Sequence, residues 1–446
     1  MIPCIAIFDI GKTNKKFLLF DQNYKIIKEE EVSFHEIVDD DGDKGEDLVA
    51  LTNWLRTTWK TLETEQKYDV LAVNFTAYGA SLVHLNEAGE PVTPLYNYLK
   101  PYPEDLEKQF YSTYGDKATI SVQTASPPLG MLNSGLQLYW LKYRKPEVFK
   151  QIKHTLHLPQ YVSYIFTGQL ITEHTSIGSH TALWDFQKQD YHDWVYAEGF
   201  DKLFPPLRPH YRPLETSFRN TVIPAGLGLH DSSSAILPYL KQYRKQFLLL
   251  SSGTWGITLN PFANSPLTIS DLEEDCLQYL TIYGRIVKAS RKFIGNAHEE
   301  QIKRLAEFYD KPLDYYKTVQ FDESLTTGIT QLGFGHAPKQ EQSAEVREKV
   351  ASAVNIALDL ELYDSYEAAY HPLMEQIIQQ QLDSLLLAAE GNMNNFKILL
   401  VDGGFSRNQV FMSLLRRIFP YLRIKAGKAA QGTALGSALA LNIWPY

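Results

Sequence analysis

Apolar positions along the chain fall in short unbroken blocks separated by polar turns. CIAIF at 4–8 and KFLLF at 16–20 read as two buried strands, with the polar GKTN between them as a hairpin turn. YDVLAVNF at 68–75 is a further strand. FLLLSSGTWG at 247–256 repeats the opening of the chain, an apolar strand running into a tight polar turn. ILLVDGG at 398–404 is a buried strand entering a glycine turn. Helical spacing marks other stretches. Leu51, Leu55, Trp59 and Leu62 predict a helix over 48–62, and the aromatic- and leucine-rich segment 132–166 reads as helical. TVIPAGLGLHDSSSA at 221–235 is a glycine-containing loop running into a helix. A helix over 373–386 is stopped by Gly391, another covers 408–419, and small residues at 429–441 form a closing helix.

Strands alternating with helices predict an α/β fold. The two strand-plus-turn openings, near residues 5 and 248, imply two analogous domains. The polar KQYRKQ segment places the joint between Leu237 and Phe247, so the expected domains are 1–240 and 241–446. A chain of 446 residues accommodates two or three domains at the usual ~100–200 residues each. With 44% hydrophobic and 21% charged residues it can bury a large core. The formal net charge of -9 argues against a general nucleic-acid binder, which needs a basic face. Two cysteines, Cys4 and Cys276, allow no disulfide framework and fit a reducing compartment. Asp9 ends the first apolar run too early for a signal peptide. No window approaches the ~20 apolar residues of a membrane span. A cytoplasmic protein that binds neither membrane nor nucleic acid is expected. With the first strand opening the sequence, no DNA-binding module is expected ahead of it.

Four segments can carry chemistry. Asp9-Ile10-Gly11-Lys12-Thr13-Asn14 delivers a carboxylate at a strand end and then a turn with backbone N–H groups, a hydroxyl and an amide. That set suits a phosphate and a hydrated magnesium ion, although Asp and Asn also serve turn geometry alone. Ser251-Ser252-Gly253-Thr254-Trp255-Gly256 repeats the device with hydroxyls. Neither segment has the Walker pattern. Asp402-Gly403-Gly404-Phe405-Ser406-Arg407-Asn408 sets adjacent glycines between a strand and a helix, where a flat ligand can approach the backbone. His230-Asp231 stands at the mouth of a helix. Asp231 is there a helix cap or a general base.

In this order and spacing the four segments resemble the FGGY carbohydrate kinases, especially the rhamnulokinase- and fuculokinase-like members. DIGKTNKKFLLFD is similar to that family's first phosphate motif and SSGTWG to its second. VDGGFSRNQVFMSLL is similar to its adenosine motif and GTALGSALAL to its closing helix. The resemblance covers about residues 5–442. It implies two actin-like (ribonuclease H-like) ATPase domains with a cleft between them, and ATP-dependent phosphorylation of a ketose or deoxyketose such as L-rhamnulose or L-fuculose at a terminal hydroxyl. It further implies Asp231 as the base, with Gly79, His230 and Ser232 at the sugar. Lys12, Thr13, Asn14, Thr254, Gly403, Gly404 and Asn408 would contact ATP, with Asp9 on the Mg2+ side. The oligomeric state stays open, a homodimer among the options.

Some positions depart from the family pattern. Tyr98-Leu99-Lys100-Pro101-Tyr102 stands where many relatives carry Asp and Arg, Gln431 where the closing helix often begins with Glu, and Lys292 where Asn is expected. These leave the sugar unassigned. Two rival readings are an actin-like ATPase with a chaperone or regulatory role, and a sugar-binding sensor that has lost catalysis. The first would not need His230-Asp231, and the second would be expected to lose Asp9 or Asp231. Other signals are set aside. His298-Glu299 and Arg416-Arg417 read as solvated helix positions, Asp39 to Asp43 as an acidic surface loop, and His154 with His157 as too few ligands for zinc.

Overall fold

Strand β1 (Ile2–Ile10) is apolar at nearly every position because both of its faces are covered. Cys4, Ala6, Phe8 and Ile10 pack with Leu51, Leu55 and Trp59 of helix α1 (Leu48–Thr64). Ile5 and Ile7 pack on the opposite side with Leu237, Ala434 and Ala438. The alternation follows from the period of two along a strand. The computed structural model describes residues 1–326, 356, 358–427 and 431–446.

The chain divides into two compact units. The first comprises residues 1–242, 278–286 and 429–446, and the second residues 243–277 and 287–428. In the first unit β1 pairs antiparallel with β2 (Lys15–Phe20), which pairs antiparallel with β3 (Ile26–Val32). On its other side β1 runs parallel to β4 (Tyr68–Ala77). The sheet is completed by the hairpin β5 (Leu214–Phe218) and β6 (Thr221–Ala225), and by the short β7 (Leu229–His230), which also runs parallel to β4. Helix α2 (Leu158–Thr167) precedes that hairpin, and α3 (Asp231–Gln242) follows β7 directly.

A linear division into 1–240 and 241–446 leaves out two returns of the chain to the first unit. Ser233 on α3 donates to the Leu280 carbonyl (2.7 Å), which fixes the return at 278–286. The closing helix, α7 (Gly432–Ala440), lies so near α3 that a Cβ on Gly436 would collide with the Ser234 carbonyl. Buried Asn74 on β4 donates to the Ser437 carbonyl (2.8 Å). Residues 429 and 430 of the expected closing helix lie outside the described residues.

The second unit is built on a six-stranded sheet in the order β10-β11-β9-β8-β12-β13. The strands are β8 (Phe247–Ser252), β9 (Gly256–Asn260), β10 (Cys276–Leu280), β11 (Ile286–Lys292), β12 (Ile398–Gly403) and β13 (Arg423–Ala426). β8 pairs antiparallel with β9 and parallel with β12, the same pattern that β1 makes with β2 and β4. Leu248, Leu250, Leu399 and Val401 form one core with α4 (Ile294–Phe308), α5 (Tyr366–Ala388) and α6 (Gln409–Ile418). The helix expected over 373–386 is thus longer. It ends on two left-handed residues, Glu390 and Gly391, with the Gly391 N–H returning to the Leu386 carbonyl.

One expectation fails in the middle of the first unit. The stretch 132–166 is not continuous helix. Helices at Ser134–Arg144 and Leu158–Thr167 flank a strand, His154–His157, that pairs with Leu82–Leu85. Pro146 and Pro159 sit at helix starts, where their fixed φ is tolerated, and they break the run. Among the described residues no helix is long and apolar enough to cross a membrane.

Candidate active site

Three parallel strands of the first unit end side by side. Ile10 of β1 is in register with Ala77 of β4, and Ala77 with His230 of β7. The Tyr78 N–H continues the ladder to the Ile10 carbonyl (3.1 Å). The residues that follow, Gly11-Lys12, Tyr78-Gly79 and Asp231, therefore share one carboxyl edge, the usual ligand edge of open α/β sheets.

Asp231 is the first residue of α3, with its side chain about one-third exposed at 34%. Its Oδ1 accepts from the Ser232 N–H (2.5 Å) and hydroxyl (3.2 Å). Its Oδ1 lies 3.3 Å from His230 Nδ1, and among the described residues no lysine or arginine pairs with it. His230 beside it is buried and held on several sides. Its N–H donates to Thr175 Oγ1 (2.9 Å), its Nδ1 accepts from the Ser232 N–H (3.2 Å), and its Nε2 bonds the Ser179 hydroxyl (3.2 Å). Burial holds the imidazole below its ordinary pKa, against the pull of Asp231. Gly79 has a steric reason to be glycine, since a Cβ would run into the His230 ring. Ser232 is exposed beside Asp231.

Asp9 lies in the same unit. Burial, opposed by the Thr433 hydroxyl bond (2.6 Å), helped by the Asp231 charge and opposed by Lys16, leaves its carboxyl pushed up to about 6. The two carboxylates feel each other's charge, and oxygen donors of this kind suit a hard divalent cation that keeps most of its water. The turn after Asp9 closes by the Gly11 N–H to the Asn14 carbonyl (2.9 Å) and exposes Thr13 and Asn14. Lys12, expected on a phosphate, is engaged elsewhere. Its ammonium pairs with Glu46 (2.6 Å) and lies over the rings of Tyr98 (5.1 Å) and Tyr78 (5.7 Å).

In the second unit, Gly253 and Thr254 are exposed in the turn between β8 and β9. Gly403 has φ +80, and its lack of a Cβ lets it pass the Ser252 carbonyl, while nothing lies within 4 Å of a Cβ on Gly404. Asn408 caps α6 by accepting from the Phe411 N–H (3.0 Å) and donates to the Tyr370 hydroxyl (2.6 Å). Each unit thus gathers its own share of the expected residues: Asp9, Lys12, Thr13, Asn14, Gly79, His230, Asp231 and Ser232 in the first, Thr254, Gly403, Gly404 and Asn408 in the second.

Several side chains escaped the sequence reading. Glu46, Tyr98 and Thr433 touch the first turn and Asp9, and Thr175 and Ser179 hold His230. Three dismissed signals also change. His298 is buried with Nε2 bonded to the Tyr370 hydroxyl (2.9 Å), and burial lowers its pKa to about 4. Arg417 pairs with Glu323 (2.6 Å). The acidic loop closes on lysines: Lys100 meets Asp39, Asp41 and Asp43 at 2.6–2.9 Å, and Lys145 meets Asp40 and Asp41 at 2.6 and 2.7 Å. Those two ammonium groups neutralise the one acidic cluster of the described residues compact enough for a metal.

Residues 4–210 match the family model of the N-terminal domain of the FGGY family of carbohydrate kinases. A rhamnulokinase from Halalkalibacterium halodurans is 25% identical over 258 residues, which cover 56% of this chain and 54% of that protein. The chain thus spans about half the length of the curated relative it matches. A carbohydrate kinase from Novosphingobium aromaticivorans has a similar fold, with TM-score 0.77 and 21% identity over 99% of this chain and 91% of the other. So does a Plasmodium falciparum glycerol kinase solved with ADP, with TM-score 0.72 and 15% identity over 99% and 90%.

Proposed function

We propose, from the match of residues 4–210 to the N-terminal domain of the FGGY carbohydrate kinases and from the two-domain actin-like ATPase fold of the structural neighbours, that this chain is a kinase of that family and transfers the γ-phosphoryl group of ATP to a terminal hydroxyl of a ketose or deoxyketose. The observation that carries the reading is Asp231: a carboxylate at the carboxyl edge of the sheet, next to a neutral buried His230, with no lysine or arginine paired to it among the described residues. A carboxylate so placed removes the proton as the sugar oxygen attacks. His230 and Ser232 orient it, and Gly79 gives the imidazole its space.

Little covalent work falls to the protein in phosphoryl transfer, so positioning and charge neutralisation dominate. Thr13, Asn14 and Thr254 offer exposed donors suited to phosphate oxygens. Gly403, Gly404 and Asn408 belong to the nucleotide's adenosine end in this reading, supported by the open backbone at the two glycines. Asp9, with Asp231 near it, would hold Mg2+, which supplies charge neutralisation at the phosphates when bound. The relative's name favours L-rhamnulose or a similar ketose. An ADP-release assay over a panel of ketoses and polyols tests the reading. Turnover of at least one ketose well above glycerol is expected, and glycerol turned over equally well would remove the ketose assignment.

A further inference from the structure

Lys12 and Glu46 form an ion pair in a place where a plain turn would need none. The pair lies on the carboxyl edge described above, beside Tyr78-Gly79 and Asp231. The Lys12 and Glu46 side chains are only 24% and 12% exposed, so both charges have lost much of their water. A second cation, buried Lys15, holds the other Glu46 oxygen (3.3 Å) and donates to the Lys12 carbonyl (2.9 Å). Tyr78 and Tyr98 flank the Lys12 ammonium, their ring centroids 6.2 Å apart. Burial, then the charges of Glu46 and Asp231, push the Tyr98 hydroxyl up, which sets Tyr98 near both carboxylates. Among the described residues the Tyr78 hydroxyl makes no hydrogen bond of acceptable geometry, although Ser81 lies beside it.

Partly buried ion pairs are weak sources of stability, because desolvation offsets attraction. This one offers a charged donor and a charged acceptor 2.6 Å apart, between two aromatic rings. A vicinal diol matches it: one hydroxyl accepts from the ammonium, the next donates to the carboxylate, and the sugar's C–H face lies on an aromatic ring.

We infer that Lys12 and Glu46, set between Tyr78 and Tyr98, are the recognition pair for the sugar's hydroxyls. The inference rests on the kinase reading above and moves Lys12 from the nucleotide to the sugar. It is tested by steady-state kinetics of the full chain with ketoses (L-rhamnulose, L-fuculose, D-xylulose), for the wild type, Lys12→Gln and Glu46→Gln. Lys12→Gln raises the KM for the neutral sugar about 10–100-fold, the scale of a lost charged hydrogen bond, with the ATP KM within about twofold of wild type. Glu46→Gln removes the charged acceptor and likewise raises the KM for the sugar about 10–100-fold, with the ATP KM held. A Lys12→Gln enzyme whose ATP KM rises while its sugar KM holds overturns the inference and leaves the kinase reading standing. So does an unaltered sugar KM in a folded Glu46→Gln enzyme. Should Glu46→Gln fail to fold, Lys12→Gln decides alone, since Glu46 there keeps Lys15. A wild-type chain that neither binds nor phosphorylates any sugar of the panel removes both readings together.

Discussion

The two units open with one device and set different side chains on it. In each, a buried strand pairs antiparallel with the next strand and parallel with a third, then ends in a tight glycine turn. The first turn closes from the Gly11 N–H to the Asn14 carbonyl (2.9 Å), the second from the Gly253 N–H to the Trp255 carbonyl (2.8 Å). The first is crowded with charge: Asp9 before it, Lys12 within it, Glu46 and Lys15 against it. The second carries hydroxyls and Trp255 but no charged side chain of its own, with the Arg291 guanidinium over the Trp255 ring (5.4 Å). Ser252 is already committed, donating to the Asp402 carbonyl (2.5 Å) and accepting from the Phe405 N–H (3.0 Å), which leaves Gly253 and Thr254 exposed. A charged turn can grip a cation and sugar hydroxyls, whereas an uncharged turn with open backbone suits an anion such as phosphate. Backbone likeness therefore predicts where ligands go, and side chains predict which.

The largest effect should come from the carboxylate at the charged edge. Asp231→Asn keeps the shape and the bonds to Ser232 but removes the base, and kcat should fall ~10²–10⁴-fold with ATP affinity little changed. If Asp231 were only a cap, Asn would serve as well and Ala would cost ~0.5–2 kcal/mol of stability instead. Kinetics, nucleotide titration and melting of both variants separate the cases, and a fully active Asp231→Asn enzyme would break the assignment of chemistry to the first unit.

Asp9 sharpens the contrast, because the second turn has no carboxylate to compare. Asp9→Asn should lower kcat about 10²–10³-fold, the scale of removing one charge-stabilising group. Its effect on stability runs the other way. The folded carboxyl titrates near 6, above its ordinary value of 3.8, so the folded state binds more protons than the unfolded between those values. Stability from this group is present at low pH and is lost as pH rises through about 6. Above pH 6, in metal-free buffer, Asp9→Asn should therefore melt a few degrees higher than wild type, with the difference shrinking toward pH 4. An equal or lower melting temperature at pH 7.5 would contradict the strain assigned to this carboxylate.

Much of this was legible in the sequence, for definite reasons. β1 and β8 could be read because burial on both faces writes an unbroken apolar run, and α1 because Leu51, Leu55, Trp59 and Leu62 recur at helical spacing. The strand at His154–His157 could not: it is four residues long, sits among helix-forming neighbours, and exists through its distant partner Leu82–Leu85. His230-Asp231 stood out because the two are adjacent at a helix mouth. Glu46 did not, because it lies 34 positions from Lys12 in a three-residue strand whose residues signal nothing by themselves. The acidic loop at 39–43 looked solvated because its counter-ions, Lys100 and Lys145, are remote in sequence.

Gly79→Ala probes the charged edge without touching a charge. The new methyl group would meet the His230 imidazole, which Thr175, Ser179 and Ser232 hold in place, so something must shift. Overpacking of this kind costs ~1–3 kcal/mol. A lower melting temperature together with a higher sugar KM is expected. An unchanged sugar KM would show that His230 moves without consequence for the sugar.

The smallest effect tests whether the two glycine turns differ as described. A Cβ on Gly11 would stand 2.8 Å from the Asn14 carbonyl, the atom that closes its turn, whereas a Cβ on Gly253 has nothing within 4 Å. Gly11→Ala should therefore lower the melting temperature, by the ~1–3 kcal/mol of a forced backbone shift. Gly253→Ala should leave the apo protein nearly unchanged, within the ~0.5 kcal/mol usual for unhindered surface positions. The two variants should then diverge on ligand binding. If the second turn receives phosphate through open backbone, the Gly253 methyl group stands where the anion must approach, and the ATP constant rises while stability holds. Isothermal titration with ATP and a melting curve for each variant give the four values needed. Equal destabilisation by both substitutions would mean that the turns are alike in packing. An unaltered ATP constant in Gly253→Ala would mean that the exposed backbone of the second turn is not where phosphate binds.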